Sequence, residues 1–182
     1  MNKAIVLYTS KRGSTKQYAE WIAEDLGCEV TAFSDAKDIN LYEYDLVIYG
    51  GWIRGSGIVD FDKLMKLADD DILDRMIVFG TGVAIPTAEN YAQVWALNIG
   101  KIDPRNVHKA TLYILDGRYN PAEIKGLDAL LMKVAKAVML SGQTPDAKSD
   151  AAEMKNRLEN GCDMVDRNNI NALVKEARKR MA

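Results

Sequence analysis

The sequence predicts an α/β fold, a three-layer sandwich built on a parallel sheet. Apolar runs of strand length alternate with segments whose apolar residues recur at helical spacing. The runs are apolar throughout, as strands are when helices cover both faces of their sheet. Right-handed crossovers then stack helix, sheet and helix. The 182 residues, 48% apolar and 27% charged, correspond to one domain able to bury its own core.

Residues 3–8 form the first run, and residues 9–15 are polar. Tyr18, Trp21, Ile22 and Leu26 follow at helical spacing, with Ser14 as the expected N-cap and Gly27 as the stop. Residues 28–33 read as strand two, opened by Cys28 as a small hydrophobe. A polar connection with room for one helical turn covers 34–44. Residues 45–49 are strand three, and 50–57 a glycine-rich loop. Phe61, Leu64, Met65 and Ala68 mark a helix, 75–79 strand four, and 80–86 a second loop. Tyr91, Val94, Trp95 and Asn98 mark the next helix, and 110–115 strand five.

Asn120-Pro121-Ala122-Glu123 has the order of a helix start, with Asn at the N-cap, Pro at N1 and Glu at N3. Leu127, Leu130, Leu131, Val134, Val138 and Met139 form an apolar stripe, which 141–148 break. Residues 166–181 form the final helix, with Ile170, Leu173, Val174, Ala177 and Met181 on one face. Lys179 and Arg180 stand at its end, where the helix dipole favours cations. Segment 117–165 is therefore an insertion between strand five and the last helix, within a single domain spanning 1–182.

Lys and Arg number 24 against 26 Asp and Glu, a net charge of −2. That balance excludes the basic excess of a generic nucleic-acid binder and a polybasic membrane anchor. No apolar run reaches the ~20 residues of a membrane span, and the start enters a strand without a signal-type apolar region, so a cytoplasmic protein is expected. Cys28 and Cys162 stand far apart and accompany a single His, so no metal site is expected.

In open α/β sheets, ligands lie beyond the carboxyl ends of the strands. The loop after strand one reads Thr9-Ser10-Lys11-Arg12-Gly13-Ser14-Thr15, four hydroxyls and a glycine running into a helix start. Unpaired amide donors and the positive end of the helix dipole make that a phosphate cradle. Neither G-x-G-x-x-G nor G-x-x-x-x-G-K-[ST] is present there, which excludes a dinucleotide site and a P-loop. Receiver-type chemistry needs acidic residues where this chain has Tyr8, Thr9 and Gly50.

Val6, Leu7, Tyr8, Ser10, Gly13, Thr15, Ala19 and Ile22 stand in the register of the flavodoxin phosphate loop, which the chain resembles through strand, loop and helix together. The resemblance implies a flavodoxin-like sandwich with five parallel strands in the order 2-1-3-4-5 and FMN as cofactor. Ser10, Ser14, Thr15 and nearby amides would hold the FMN phosphate; the alternative is that these hydroxyls only cap a helix. Many flavodoxins have Thr where this chain has Arg12. Arg12 and Lys11 either contact the phosphate or point to water.

By the same resemblance, Gly51, Trp52, Ile53, Arg54 and Gly55 flank the isoalloxazine ring on one side, with Thr81 and Gly82 on the other. Glycine lets the backbone approach the ring, and Trp52 stacks on it or belongs to the core or rim. Arg54 either raises the flavin potential or is a surface charge. Tyr91 and Trp95 fit helix core, and His108 a surface position.

Residues 44–50 followed by Trp52-Ile53-Arg54, together with Gly117-Arg118-Tyr119 and Ser141-Gly142, resemble the flavodoxin-like protoporphyrinogen dehydrogenase group. There FMN passes electrons from protoporphyrinogen to a quinone. The chain departs from that group at 55–60, often His-bearing and aromatic there, and in a less aromatic, less basic insertion. The expected function is an FMN-binding redox protein working between protein or small-molecule partners. Its rivals are an FMN-dependent protoporphyrinogen/quinone oxidoreductase and a flavin-free interaction module. Carrier or enzyme, catalytic residues and oligomeric state stay open. A redox protein or a quinone is the expected partner, with no nucleic acid. The insertion stripe, flanked by Lys125, Lys133 and Lys136, covers core or sheet edge, touches a membrane surface or quinone-linked partner, or forms a dimer interface.

Overall fold

In the computed structural model, residues 3–36, 39–84, 87–101, 110–126, 129–130, 132–133, 136–137 and 147–182 are described. β1 (Ala4–Thr9), β2 (Glu29–Ala32), β3 (Leu46–Arg54), β4 (Gly57–Ile58), β5 (Met76–Gly82) and β6 (Thr111–Asp116) make one sheet. Its parallel strands run β2-β1-β3-β5-β6, and β4 folds back antiparallel on the end of β3. This is the expected 2-1-3-4-5 order with one short hairpin strand added.

Alternation along the central strands feeds two cores. Ile5, Leu7, Val47, Tyr49, Met76 and Val78 face one layer, formed by α2 (Phe61–Leu64), α3 (Asp70–Asp74) and α4 (Ala88–Leu97). Ala4, Val6, Leu46, Ile48, Ile77 and Phe79 face the other, with α1 (Ser14–Leu26) and the last helix. Both faces are thus buried, which is why these strands read as unbroken apolar runs. β2 is the exposed edge: Glu29 and Val30 face solvent.

α1 ends as expected. Gly27 adopts φ +63°, and its N–H reaches Ala23 O and Glu24 O, closing the last turn. Its start differs: the N-cap is Gly13, and Ser14 is the first helical residue.

Two expected loops are partly strand. β3 continues through Gly50 to Arg54, and β5 through Gly80 to Gly82. The glycines there are packing sites. A Cβ on Gly50 would lie inside the Phe79 ring, and one on Gly51 would stand 2.5 Å from Ile58 Cγ2 and 2.9 Å from Val59 O. Only Gly55 and Ser56, at φ +55° and +66°, form a turn, the positive-φ pair of a two-residue hairpin between β3 and β4.

Beyond β6, β7 (Arg118–Tyr119) pairs antiparallel with β8 (Cys162–Asp163). Between them the described residues include α5 (Ala147–Asn160) and, in place of the expected α-helix start, a 3₁₀ turn, Pro121–Glu123. Asn120 caps the turn by accepting from Ala122 N at 3.1 Å and donates to Glu123 Oε1 at 2.9 Å. α5 takes in Ala147 and Lys148 of the expected break. Among its described side chains, the buried apolar ones are Met154 and Leu158. The final α-helix, α6 (Asn171–Met181), follows a 3₁₀ turn, Arg167–Ile170, whose cap Asp166 accepts from Asn168 N.

Leu130 of the apolar stripe is 59% exposed. Leu127, Leu131, Val134, Val138 and Met139, with Ile85, Pro86, His108, Ser141 and Gly142, lie outside the described residues. Among the described residues, no helix is long and apolar enough to cross a membrane.

Candidate functional site

The carboxyl ends of β1, β3 and β5 converge on the start of α1. Gly13, at φ +90°, turns the chain from loop to helix, a conformation that favours glycine. Its N–H donates to Ser10 Oγ at 3.1 Å, which fixes the loop's curvature. Gly13 offers no side-chain cap, so α1 presents an uncapped N-terminus.

Two hydroxyls at this start brace distant elements. Thr15 Oγ1 and Thr81 Oγ1 are 2.7 Å apart, both residues buried, tying α1 to the end of β5. Ser14 Oγ accepts from Arg118 N at 3.1 Å, tying it to β7 and leaving the Ser14 proton to donate elsewhere. Thr9 Oγ1 donates to Asp60 Oδ2 at 3.2 Å, and the Tyr49 hydroxyl lies 3.1 Å from Thr9 Oγ1 and 2.7 Å from Val59 O. Burial holds the Tyr49 phenol far above the ordinary tyrosine range. Asp60, at φ +62°, turns its carboxylate to Thr9 and to Lys63 Nζ at 2.6 Å rather than capping α2.

At the end of β3, Trp52 is half-buried and in register with Thr81. Lys11 Nζ lies 5.5 Å and Arg54 Cζ 5.7 Å from its ring centroid. The structure thus brings the first loop, Trp52 and Thr81 together. Ile53 points into the core and packs over Gly80 and Gly82, while Gly55 sits at the hairpin tip. Buried Asn98, just past α4, latches that hairpin. It accepts from Ile58 N at 2.8 Å and donates to Ser56 O at 2.9 Å.

The β7–β8 ribbon borders the same end of the sheet. Gly117 N donates to Gly82 O at 2.6 Å, and Arg118 Nε to Asp163 Oδ2 at 2.7 Å. Tyr119 is buried, which pushes its phenol up, while the charge of Arg12 pulls it down. Arg157, only 7% exposed, reaches from α5 to Val83 O at 3.2 Å, Asp116 Oδ1 at 3.5 Å and Glu153 Oε1 at 2.5 Å.

Asp60, Asn98, Arg118, Tyr119 and Arg157 were not expected here from the sequence. Asp60 falls within the 55–60 stretch before the helix marked by Phe61, and Asn98 reads as a member of a helix stripe. The other three belong to segments whose pairing spans more than 40 residues, for which the sequence holds no local signal. The cysteines carry no activated thiol: burial pushes Cys28 up to about 11, and raises Cys162 as well. Among the described residues, no group of three or more His, Cys, Asp or Glu side chains could hold a metal ion.

A family model described as a flavodoxin domain matches residues 5–111. No curated protein matches the sequence. Solved structures similar to the chain include the Trp repressor binding protein from Bacillus subtilis, at 15% identity over 78% of this chain and 99% of that one, TM-score 0.47. Oxidised flavodoxin 2 from Bacillus cereus has 19% identity over 74% and 96%, TM-score 0.39. A flavoprotein in complex with FMN from Lactobacillus acidophilus has 16% identity over 64% and 93%, TM-score 0.41.

Proposed function

The chain belongs to the flavodoxin domain family, and from that premise we propose that it binds FMN and passes electrons between a redox partner protein and a second protein or small molecule. The observation that carries this reading is the first loop: an uncapped helix start, a left-handed glycine, Ser10, and the cations Lys11 and Arg12 in one turn of chain. This donor set fits a phosphate dianion, since residues 9–15 contribute amides, hydroxyls and positive charge and no carboxylate.

Ser10, Ser14, Thr15 and the amides of residues 11–15 would hold the phosphate, with Thr81 bracing the Thr15 hydroxyl. Gly51, Trp52, Ile53, Arg54, Gly55, Thr81 and Gly82 would shape the ring end, with Ile53 acting from the core side. FMN supplies reversible electron transfer when bound; the chain supplies binding, orientation and electrostatics. We read 1–182 as one cytoplasmic domain with 117–165 as its insertion, and a redox protein or a quinone as the partner.

A second reading, an FMN-dependent oxidoreductase of the protoporphyrinogen/quinone type, is favoured by the β7–β8 ribbon. Arg118, Tyr119 and Arg157 raise a wall beside the site that a simple electron carrier does not need.

The test is a visible spectrum of the purified protein with and without added FMN, followed by reductive titration. A flavin spectrum with a long-lived one-electron form supports the carrier. Direct two-electron reduction with turnover of a quinone supports the enzyme. No binding of added FMN overturns both and leaves a flavin-free interaction module.

A further inference from the structure

A buried cation ties the insertion to the end of β5. Arg157 stands on α5 and is only 7% exposed. Taking a guanidinium out of water is costly unless its donors find acceptors. Its Nε and Nη2 meet Glu153 Oε1, one helical turn back, at 3.0 and 2.5 Å. A pair at that spacing forms on any helix surface and needs no burial. What the buried position adds is the reach of Nη1, to Asp116 Oδ1 at 3.5 Å and Val83 O at 3.2 Å. Asp116 is the last residue of β6, and its carbonyl accepts from the Tyr18 hydroxyl of α1 at 2.8 Å. Val83 directly follows β5.

A trans peptide directs its N–H opposite to its C=O. With Val83 O turned to Arg157, Ala84 N points away from the insertion. Gly82 O is also held from the insertion, by Gly117 N at 2.6 Å, so Val83 N points away from it too. Two consecutive peptides thus give their carbonyls to segment 117–165 and turn their amides from it. β3 borders β5 on the side opposite β6, and there Trp52 stands in register with Thr81. Among the described residues, Ala84 N has no acceptor.

We propose that Arg157 is a positioning residue for the flavin ring: it holds the Val83–Ala84 peptide with its N–H toward the site, where an oxygen or nitrogen acceptor of the ring receives it. The insertion then takes part in cofactor binding through one buried cation, and it acts on the ring end and not on the phosphate end. The inference rests on the FMN reading above.

The test titrates FMN, and riboflavin, which lacks the phosphate, into wild type, Arg157→Met, Arg157→Lys and Ser10→Ala, read by quenching of flavin fluorescence. Arg157→Met keeps an unbranched stem and removes the donors. It is expected to weaken both flavins by the same factor, about tenfold, the size of one hydrogen bond. Arg157→Lys, which keeps a charged donor, recovers part of that loss. Ser10→Ala weakens FMN far more than riboflavin, which marks the phosphate end. Where riboflavin binds too weakly to titrate, the FMN affinity of Arg157→Met/Ser10→Ala replaces it, and the two losses add because the ends act independently.

An unchanged FMN affinity in Arg157→Met overturns the inference. So does a loss confined to FMN, or a shortfall from additivity, since Arg157 would then act at the phosphate end or on the fold as a whole. Urea unfolding of each variant reports its fold, and Arg157→Lys decides the matter by the same comparison if Arg157→Met does not fold. Failure of the wild type to bind FMN is a different outcome: it removes the FMN reading itself.

Discussion

At the α1 end of the candidate site, seven consecutive residues supply nearly everything: the left-handed Gly13, the Ser10 brace on its amide, and the uncapped helix start. At the β3 end, the comparable surface is assembled from four stretches of chain. Trp52 comes from β3, Lys11 from the first loop, the supporting hairpin from β4, and its latch, Asn98, from beyond α4. The first end is shaped by backbone conformation and local hydrogen bonds, with only the Thr81 and Arg118 braces, among the bonds described, coming from afar. The second is shaped by packing, with Gly50 and Gly51 pressed against Phe79 and Ile58. Local architecture tolerates change elsewhere in the fold, whereas a distributed one fails when any contributor moves.

Substitutions can break that contrast. The largest effect is expected at Gly50. Gly50→Ala drives a methyl into the Phe79 ring and should destabilise the protein by roughly 1–3 kcal/mol, the overpacking range, in urea unfolding. A loss near zero would mean that β3 and β5 slide apart at no cost.

Thr15→Ala probes the other end. It should weaken FMN binding by about 1.5–3 kcal/mol, the value of a hydrogen bond to a charged group. Thr81→Val, which removes only the brace, should weaken it less. Equal losses in titration calorimetry would show that Thr15 acts through its brace alone.

Asn98→Ala leaves Ile58 N without its acceptor and should cost about 1–2 kcal/mol. Amide exchange should speed up at Ile58 while the first loop keeps its protection. Faster exchange in both places would join the two ends into one unit.

The smallest effect concerns acid. Arg118 beside Asp163 holds its carboxyl below the ordinary range. A depressed carboxyl stabilises the fold at neutral pH and loses that contribution as pH falls through its folded value. The pair is exposed, so roughly 0.2–1 kcal/mol is at stake. Asp163→Asn should flatten the acid limb of the stability curve by that amount.

The same contrast explains what the sequence discloses. The phosphate-loop motif is legible because its parts are adjacent and the helix stop Gly27 obeys a local rule. Gly50 to Arg54 reads as loop because glycine usually breaks strands, and only the Phe79 ring across the sheet reveals why glycine is required there. α5 is harder to read because, among its described side chains, the buried set Met154, Arg157 and Leu158 includes a charged residue. The turn of Asp60 toward Thr9 depends on a positive φ that no motif announces.

Arg118 stands opposite Asp163 and Tyr119 opposite Cys162, so the chain departs from the body and returns to it through neighbouring positions. Closing a longer excursion across such a gap costs only about 0.6 kcal/mol for each doubling of its length. The ribbon is therefore a socket. What is plugged into it can lengthen, shrink or be exchanged for a tight turn while the sheet keeps its register.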